Sequence, residues 1–563
     1  MGQARSAPGG RAQGRAARAA PPPPQSTASA APPLGPSAPA DAVTFASLHG
    51  MVVGLGGVPG APPAALIHAP LAVEPAPVPR AAFLSAVAAA THFNALAAAV
   101  AADPAWMEAT LGPAAAAGDA FTARLLALRR GTARTPGDDL ALAITRSDYM
   151  VDGGGGGLAD GGGGAGNKNG GPGPGPAGAV LLQVELNTIA SSFGCLGGAA
   201  SALHADAAAR AGWPADARAR LPPNSAKASI AAALAAGAAA AGVGTDGIVL
   251  FVVQPGERNA YDQASLAEEL WVSHGLVTVR ATLEEVAAAG RLEGAEGDGP
   301  PEDPAAPAAG RPARRLTFGG RPVAVAYLRS GYSPADYPSE AAWTGRALLE
   351  RSTAAVCPTA AWQLAGSKKV QQALAGAGVT EAFLERAGCA PPAAAQVRSH
   401  YAGLWSLDPG DHVTDASPDG KSALAALLQD AAARPGAYVL KPQREGGGNN
   451  TYGAQLAAAA AAAVADLGAG GSGGLGAFIL MQRIQPAPHG ATLVRGGAAP
   501  PAPVPCISEL GIFGAWLGRG GVGGGPPLLN APAGHLVRTK PAGADEGGVA
   551  AGFAVLSSPY LVG

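Results

Sequence analysis

Apolar positions along the chain come in two spacings, and each predicts a different element. Ala82–Ala101 and Phe121–Arg129 carry amphipathic helical patterns and predict helices. Val180–Glu185, Ile248–Val253 and Val323–Leu328 are short apolar runs and predict strands, the last of them buried. Ala457–Ala463 is an alanine run and predicts a helix, because alanine gives up no side-chain entropy there. Between these segments lie Gly153–Gly178, Gly294–Arg311, a Gly-rich turn through Gly476, and Gly520–Pro527. Their Gly- and Pro-rich composition cannot bury enough apolar surface to offset the entropy of ordering, so they predict surface loops. Strand followed by helix, with insertions confined to loops, is the pattern of an α/β enzyme with expanded loops.

Composition narrows the range of functions. At 563 residues the chain is long enough for two or three subdomains, although Gly 83 and Pro 52 make the packed part smaller than the length suggests. Lys plus Arg number 38 against 40 Asp plus Glu, so no basic footprint for a nucleic-acid backbone exists and no nucleic-acid partner is expected. Ile230–Val243 is apolar but mostly alanine, and it is shorter than the about 20 residues a membrane span needs, so no membrane association is expected. The four cysteines, Cys195, Cys357, Cys389 and Cys506, form no CxxC or zinc spacing, which suits a reducing compartment. Residues 1–41 combine Arg5, Arg11, Arg15 and Arg18 with a Pro21–Pro24 run, a composition shared by transit segments and disordered tails. Cytoplasm and plastid therefore both stand as expected locations.

Three clusters carry candidate chemistry. In Val439-Leu440-Lys441-Pro442-Gln443-Arg444-Glu445-Gly446-Gly447-Gly448-Asn449-Asn450, a strand end delivers a lysine to a glycine loop. Such a loop lets backbone N–H groups approach a polyphosphate, while Lys441 supplies positive charge and Glu445 can hold Mg²⁺. It is neither a Walker A loop nor a dinucleotide fingerprint. In Gln183-Val184-Glu185-Leu186-Asn187-Thr188, strand alternation puts Glu185 and Asn187 on one face, where their oxygens suit a hard cation; taken alone, the same pattern also reads as a solvated strand face. Near the C-terminus, Glu509 is followed by Arg538-Thr539-Lys540 and then by the small-residue run Gly547–Gly552. Cations before a small-residue loop suit anion recognition beside a lid, and equally a basic turn before a flexible tail.

Taken together, RSDYM (Arg146–Met150), VELNTI with SSFG, ERNAYDQ (Glu257–Gln263), LLERS with LAGSKKVQQ, LKPQREGGGNN, CISELGIFG and HLVRTK with GGVAAG closely resemble the eukaryotic glutathione synthetase family, in order from about Ala42 to Val562. The resemblance implies a permuted ATP-grasp fold of the α/β (α+β) class. It implies an ATP-grasp part at 42–246, an embedded substrate-binding domain at 247–367, and an ATP-binding part with lid loops at 368–563. It also implies a homodimer that uses ATP and Mg²⁺ to join γ-glutamylcysteine to glycine through an acyl phosphate. Relatives that accept β-alanine or serine leave a homoglutathione-type or other ATP-grasp carboxylate–amine ligase, using a different amine acceptor, as the alternative.

By the same resemblance, Glu185, Asn187 and Glu445 are expected to hold magnesium. Lys368, Lys441, Glu445, Gly446, Gly447, Gly448, Asn449, Asn450, Tyr452, the hinge Met481, Gln482, Arg483 and Ile484, Lys540 and Glu546 are expected around ATP, with Glu185 at its phosphates and Glu509 at the ribose. Arg146, Ala190, Ser191, Ser192, Asn259, Gln263, Arg329, Ser330, Gly331, Tyr332, Arg538, Val549 and Ala550 are expected around the peptide substrate, Arg146 and Arg538 acting in catalysis. Ala190 stands where the family commonly has serine, Ser330 where it has an acid, Glu546 where it has aspartate, and Gln482-Arg483 where the hinge has Glu-Lys. No protein nucleophile is required, and none is assigned to the cysteines.

Overall fold

The computed structural model describes the whole chain except residues 1–29, 36, 56–64, 117, 133–139, 154–179, 258, 294–313, 443–449, 520–524, 545–547 and 550–551. Glu445, Gly446, Gly447, Gly448, Asn449, Glu546 and Ala550, most of the N-terminal segment, and the bulk of the Gly153, Gly294 and Gly520 insertions lie outside the described residues.

The five-residue run Ile248–Val252 is buried on both faces, and that demands helices above and below it. It lies parallel to Val277–Ala281 on one side and to Arg321–Leu328 on the other, and the parallel array continues through Ala355–Cys357. The last of these pairs with Ala141 at the start of a long strand, Leu140–Asp152. Beyond Ala141 the same long strand changes partners. Its far half pairs antiparallel with Val180–Asn187, and its other edge with Val504–Arg519, which in turn pairs with Leu529–Pro541. Among the described residues, one fourteen-stranded sheet thus has a parallel half and an antiparallel half that share Leu140–Asp152.

Alternation along Val504–Arg519 shows how this sheet is covered. Phe513, Ala515 and Leu517 pack in the layer with Leu203, Ile230 and Leu234 from helices Gly194–Arg210 and Ala226–Ala241. Leu510 and Ile512 face the opposite layer with Phe83, Phe93 and Leu96 of helix Arg80–Ala101. The alanine-rich segment that is too short for a membrane span falls largely in the helix Ala226–Ala241, and its small side chains let it lie close to the sheet. A Cβ at Gly237 would stand 2.9 Å from Leu142 Cδ2 and 3.3 Å from Ala355 Cβ, so the glycine sits in close contact with the sheet. Arg80–Ala101 has the length and hydropathy of a membrane span, and about half of its apolar window is buried inside the protein, under the sheet.

A second, three-stranded antiparallel sheet, Leu404–Ser406, Phe478–Gln482 and Tyr438–Pro442, carries helices Lys421–Ala433 and Gly453–Gly468. Leu424, Leu428, Leu440, Leu456 and Leu480 fill the space between them. The expected elements appear as Arg80–Ala101, Ala120–Gly131, Val180–Asn187, Ile248–Val252, Arg321–Leu328 and Gly453–Gly468. The pattern did not announce the long strands Leu140–Asp152, Val504–Arg519 and Leu529–Pro541, whose interiors carry charges and glycines that break a simple apolar run.

Two buried histidines link this packing to pH. His204 binds Ser558 Oγ at 2.7 Å and Ala72 O at 3.0 Å, tying its helix to the C-terminal strands, and burial lowers its pKa to about 4. His535 stands edge-on to Phe83 and is likewise lowered to about 4 by burial. A histidine held neutral in the fold stabilises it fully above about 6.5; as the pH falls toward 4 the unfolded chain takes the proton first, and stability is lost at about 1.4 kcal/mol per pH unit per group. The thermal midpoint is therefore expected to fall steeply between pH 6.5 and pH 4.5. His204→Gln lowers it overall but flattens that slope by one proton; a melting series at four pH values checks this, and parallel slopes would contradict it.

Candidate active site

Side chains directly opposite one another in a sheet share a face, and the antiparallel half brings its charged residues to a single face in this way. Asp148 lies opposite Glu185 on one side and Gly511 on the other; Arg146 lies opposite Asn187 and Phe513; Glu509 lies opposite Arg538. Asp148 is fully buried and sits at the centre of the array. Its Oδ1 accepts from Arg146 Nε at 2.6 Å, and its Oδ2 accepts from Arg146 Nη2 at 2.8 Å, Asn187 Nδ2 at 2.9 Å and Arg538 Nη2 at 2.8 Å. Arg538 also donates to Glu509.

The charges shape one another's protonation. Burial alone would raise Glu185, yet Lys368, with Nζ 2.9 Å away, and Lys441 hold its carboxyl well below the usual carboxylate range. Burial raises Glu509, and the nearby Asp148 and Glu185 charges add to that, outweighing the Arg538 cation. For Arg538, burial works against the charge, but Glu509, Asp148 and Glu185 hold it firmly protonated.

Between the large sheet and the three-stranded sheet lies a cleft of about 390 Å³. Met150, Val184, Ile507 and Lys540 form the wall on the large sheet; Val439, Lys441, Tyr452 and the segment Met481, Gln482, Arg483 and Ile484 form the opposite wall, with Asn450 at its edge. The register of Val180–Asn187 slips between Glu185 and Gln183, an irregularity of the bulge type that leaves Val184 outside the ladder pairing. The Val184 carbonyl accepts from Lys441 Nζ at 2.9 Å, which joins the two walls. Arg483 stacks over the Tyr452 ring at 5.3 Å, and Asn450 donates to the Tyr452 hydroxyl. Apolar side walls that also carry Lys441 and Lys540 suit a flat base carrying a polyphosphate.

The arginine face continues into a polar pocket. Arg146 Nη1 donates to Ser192 O at 3.1 Å; Arg329 donates to Ser191 O at 2.9 Å and to Ser192 Oγ at 2.6 Å. This serine turn is bracketed by Ala190 at φ 51 and Phe193 at φ 67, left-handed conformations that cost non-glycine residues roughly 1–3 kcal/mol each and persist only where the surroundings hold them. Asp262 does the holding: its carboxylate accepts from the backbone N–H groups of Phe193, Cys195 and Leu196, at the start of helix Gly194–Arg210. Nearby, Glu257 accepts from Asn259 N and Gln263 Nε2, while both side-chain amide atoms of Asn259 and Oε1 of Gln263 are buried with no hydrogen-bond partner among the described residues. Unpaired buried amides are costly unless a bound molecule satisfies them. Ser330 is buried, the Gly331 carbonyl accepts from Gln363 Nε2 at 2.7 Å, and the Tyr332 hydroxyl accepts from Gln254. Burial raises all four thiols, Cys357 to about 12, so none has thiolate character at neutral pH.

The profile described as "Eukaryotic glutathione synthase, ATP binding domain" matches residues 38–561, almost the whole chain. The chain belongs to the eukaryotic glutathione synthase family. Among its relatives are the chloroplastic glutathione synthetase of Solanum lycopersicum, 37% identical over 93% of this chain and 83% of that one, and the glutathione synthetase of Homo sapiens, 37% identical over 88% and 90%. A glutathione synthetase-like effector from Globodera pallida, in its apo form, shares the fold with a TM-score of 0.64 at 20% identity, over 93% of this chain and 96% of that chain.

Within this glutathione synthase fold, most of the site residues expected from the sequence lie along one continuous path. Lys441, Asn450, Tyr452, Met481, Gln482, Arg483, Ile484 and Lys540 line the cleft, and Glu185, paired with Lys368, follows the lining residue Val184 in its strand. Arg146, Asn187 and Arg538 meet at Asp148, Glu509 joins through Arg538, and Ser192 links Arg146 to Arg329, which also holds Ser191. The Glu185 face is partly covered by Lys368, whose side chain is itself 4% exposed, so the reading as a freely solvated strand face does not hold. Arg538-Thr539-Lys540 is a strand interior, not a surface turn. Val549 belongs to the apolar layer of Phe193 and Phe513. Asp148, Glu257, Asp262 and Gln363 were assigned no role beforehand. For Asp148 a signal was available: in an extended RSDYM segment it shares a face with Arg146.

Proposed function

We infer that the chain is a glutathione synthetase, an ATP-dependent ligase that converts ATP, γ-glutamylcysteine and glycine to glutathione, ADP and phosphate. The observation that carries this reading is the junction of a base-and-phosphate cleft with a buried arginine pocket, in a chain of this family. The adenine lies between Val439, Met481 and Ile484, and Lys441, Lys540 and Lys368 take the phosphates. Arg146, Arg329, Ser192, Asn259, Gln263 and Tyr332 hold the dipeptide, with its glycyl-accepting carboxylate toward Arg538. Attack of that carboxylate on the γ-phosphorus forms an acyl phosphate and releases ADP. The glycine amine then adds to the acyl carbon, phosphate departs with the bonding pair, and the amine proton passes to solvent. Arg538 stabilises the oxyanions in both steps, and the water-poor setting strengthens that effect.

The donor set fits magnesium. The Glu185 carboxylate stays ionised, and Asn187, whose amide N–H group is committed to Arg146 O and Asp148, offers its oxygen from the same face. Among the described residues no three His, Cys, Asp or Glu side chains converge as a metal group, which suits an ion completed by Glu445, water and phosphate oxygens. When bound, Mg²⁺ would neutralise triphosphate charge and polarise the γ-phosphoryl group. Division into 42–246, 247–367 and 368–563 is part of the same proposal. It is supported by a parallel array drawn from Ile248–Cys357 and a three-stranded sheet lying wholly after Leu404. A homodimer is proposed on the family resemblance. So are cytoplasm and plastid as alternative sites for a chain whose described cysteines are all free; fusion of residues 1–41 to a fluorescent reporter separates the two.

The test is phosphate release by the purified chain with magnesium, ATP and γ-glutamylcysteine, comparing glycine, β-alanine, serine and no amine. Release dependent on both dipeptide and glycine is expected. Preference for β-alanine or serine would replace the product by a homoglutathione-type peptide, and turnover indifferent to any amine would sink the ligase reading.

A further inference from the structure

A single carboxylate, Asp148, is placed so that two guanidinium groups and a cation-binding amide can stand side by side on one sheet face. Its four hydrogen bonds come from Arg146 twice, Asn187 and Arg538, at 2.6 to 2.9 Å. They engage both oxygens, with three donors at Oδ2 and one at Oδ1, so the carboxylate is committed to its protein neighbours. It is also wholly buried, whereas the Glu185 side chain on the neighbouring strand is 23% exposed. The two carboxylates therefore have different jobs.

Without Asp148, the Arg146 and Arg538 cations would face each other in a buried site and repel. With it, Arg146 is held by a two-pronged contact that fixes the plane of its guanidinium while its remaining Nη1 reaches Ser192 O. Arg538 is held between Asp148 and Glu509, and the Asn187 amide is oriented by giving its N–H group to Asp148 and the Arg146 carbonyl. The facing strand is shaped around this pair. A Cβ at Gly511 would stand 2.7 Å from Arg146 Cδ and 2.8 Å from Asp148 Oδ1, so the absence of a side chain there makes room for the pair.

The geometry points to Asp148 as the positioning residue of the ligase reaction, acting through Arg146, Arg538 and Asn187 and never touching the reacting atoms. This inference rests on the synthetase reading above. It is tested in the full chain with Asp148→Asn, Arg538→Met and the double variant, measuring kcat, the KM values for dipeptide and glycine, ATP affinity by calorimetry, and thermal melting. Asp148→Asn is expected to lower kcat about 100-fold, the range for a misplaced catalytic group, and to leave ATP affinity within about threefold because the cleft walls are untouched. A residue that merely supports the fold would move ATP affinity together with kcat. The double variant is expected to lose less than the product of the two single losses, since the part of the Asp148 effect that runs through Arg538 is already gone while Arg146 and Asn187 still depend on it. Wild-type turnover with unchanged kcat in Asp148→Asn would overturn the inference, as would losses that multiply in the double variant. Absence of any dipeptide- and amine-dependent turnover in the wild type would instead bring down the synthetase reading itself, and this inference with it. If Asp148→Asn does not fold, Gly511→Ala displaces the same pair without changing a charge, and the same split between kcat and ATP affinity decides.

Discussion

Replacing Arg538 by methionine is expected to lower kcat by about 10³, with ATP affinity much less affected. The reason is location: Arg538 is the cation that bridges Asp148 and Glu509, beside the pocket proposed for the dipeptide. Charge develops there in both phosphoryl transfer and acyl transfer, and one prealigned donor in a water-poor site is worth about 10²–10³ in rate. A second effect follows in the folded state. Methionine fills the volume but leaves Asp148 and Glu509 buried beside each other without their shared cation, and breaking a buried pair in this way costs about 3–5 kcal/mol. Glu509 sets the sign of the pH dependence. Burial, Asp148 and Glu185 already raise its carboxyl in the wild type, and losing Arg538 raises it further. A raised acid binds its proton more tightly in the fold, so the destabilisation should be smallest at acid pH and grow as the pH rises. Steady-state rates with melting curves from pH 5 to pH 9 check both parts. Wild-type turnover in the variant would remove Arg538 from the reaction.

Glu185→Gln is expected to be nearly as damaging for a different reason. Lys368 and Lys441 keep this carboxylate ionised, so the substitution removes a full charge and leaves two buried lysines less compensated beside the place proposed for the triphosphate. Phosphate binding can tolerate that excess of positive charge, whereas cation binding cannot. The magnesium concentration giving half-maximal activity should therefore rise by more than about tenfold, and kcat at saturating magnesium should fall about 10³-fold. Initial rates titrated with magnesium at fixed ATP separate the two quantities. An unchanged magnesium dependence would exclude Glu185 as a ligand.

Particular residues show how far the chain could be read without coordinates. Ile248–Val252 and Val323–Leu328 announced themselves because strands of a parallel sheet are buried on both faces and read as unbroken apolar runs. The helix Arg80–Ala101 was legible because its apolar face repeats at helical spacing. The strand Leu140–Asp152 was not, because its centre, Thr145-Arg146-Ser147-Asp148, is polar on both faces. Only ion pairs on one side and hydrogen bonds such as Gln183 to Ser147 on the other make such a strand possible.

Chemistry-bearing residues follow the same division. Lys441, Glu185 with Asn187, and Arg538 with Lys540 stood out as local patterns, since strand alternation and loop chemistry act within a few residues. What the sequence by itself determined was the inventory: the element types, the family, and the charged groups available for phosphate and carboxylate chemistry. Only the tertiary structure decided their grouping. Asp148 meets Arg538 across 390 residues of chain, Glu185 meets Lys368, and Asp262 reaches back to Phe193. Such contacts depend on strand register and on which helix caps which turn. No local periodicity encodes them, because burial makes each partner necessary and the fold supplies it from a distant part of the chain.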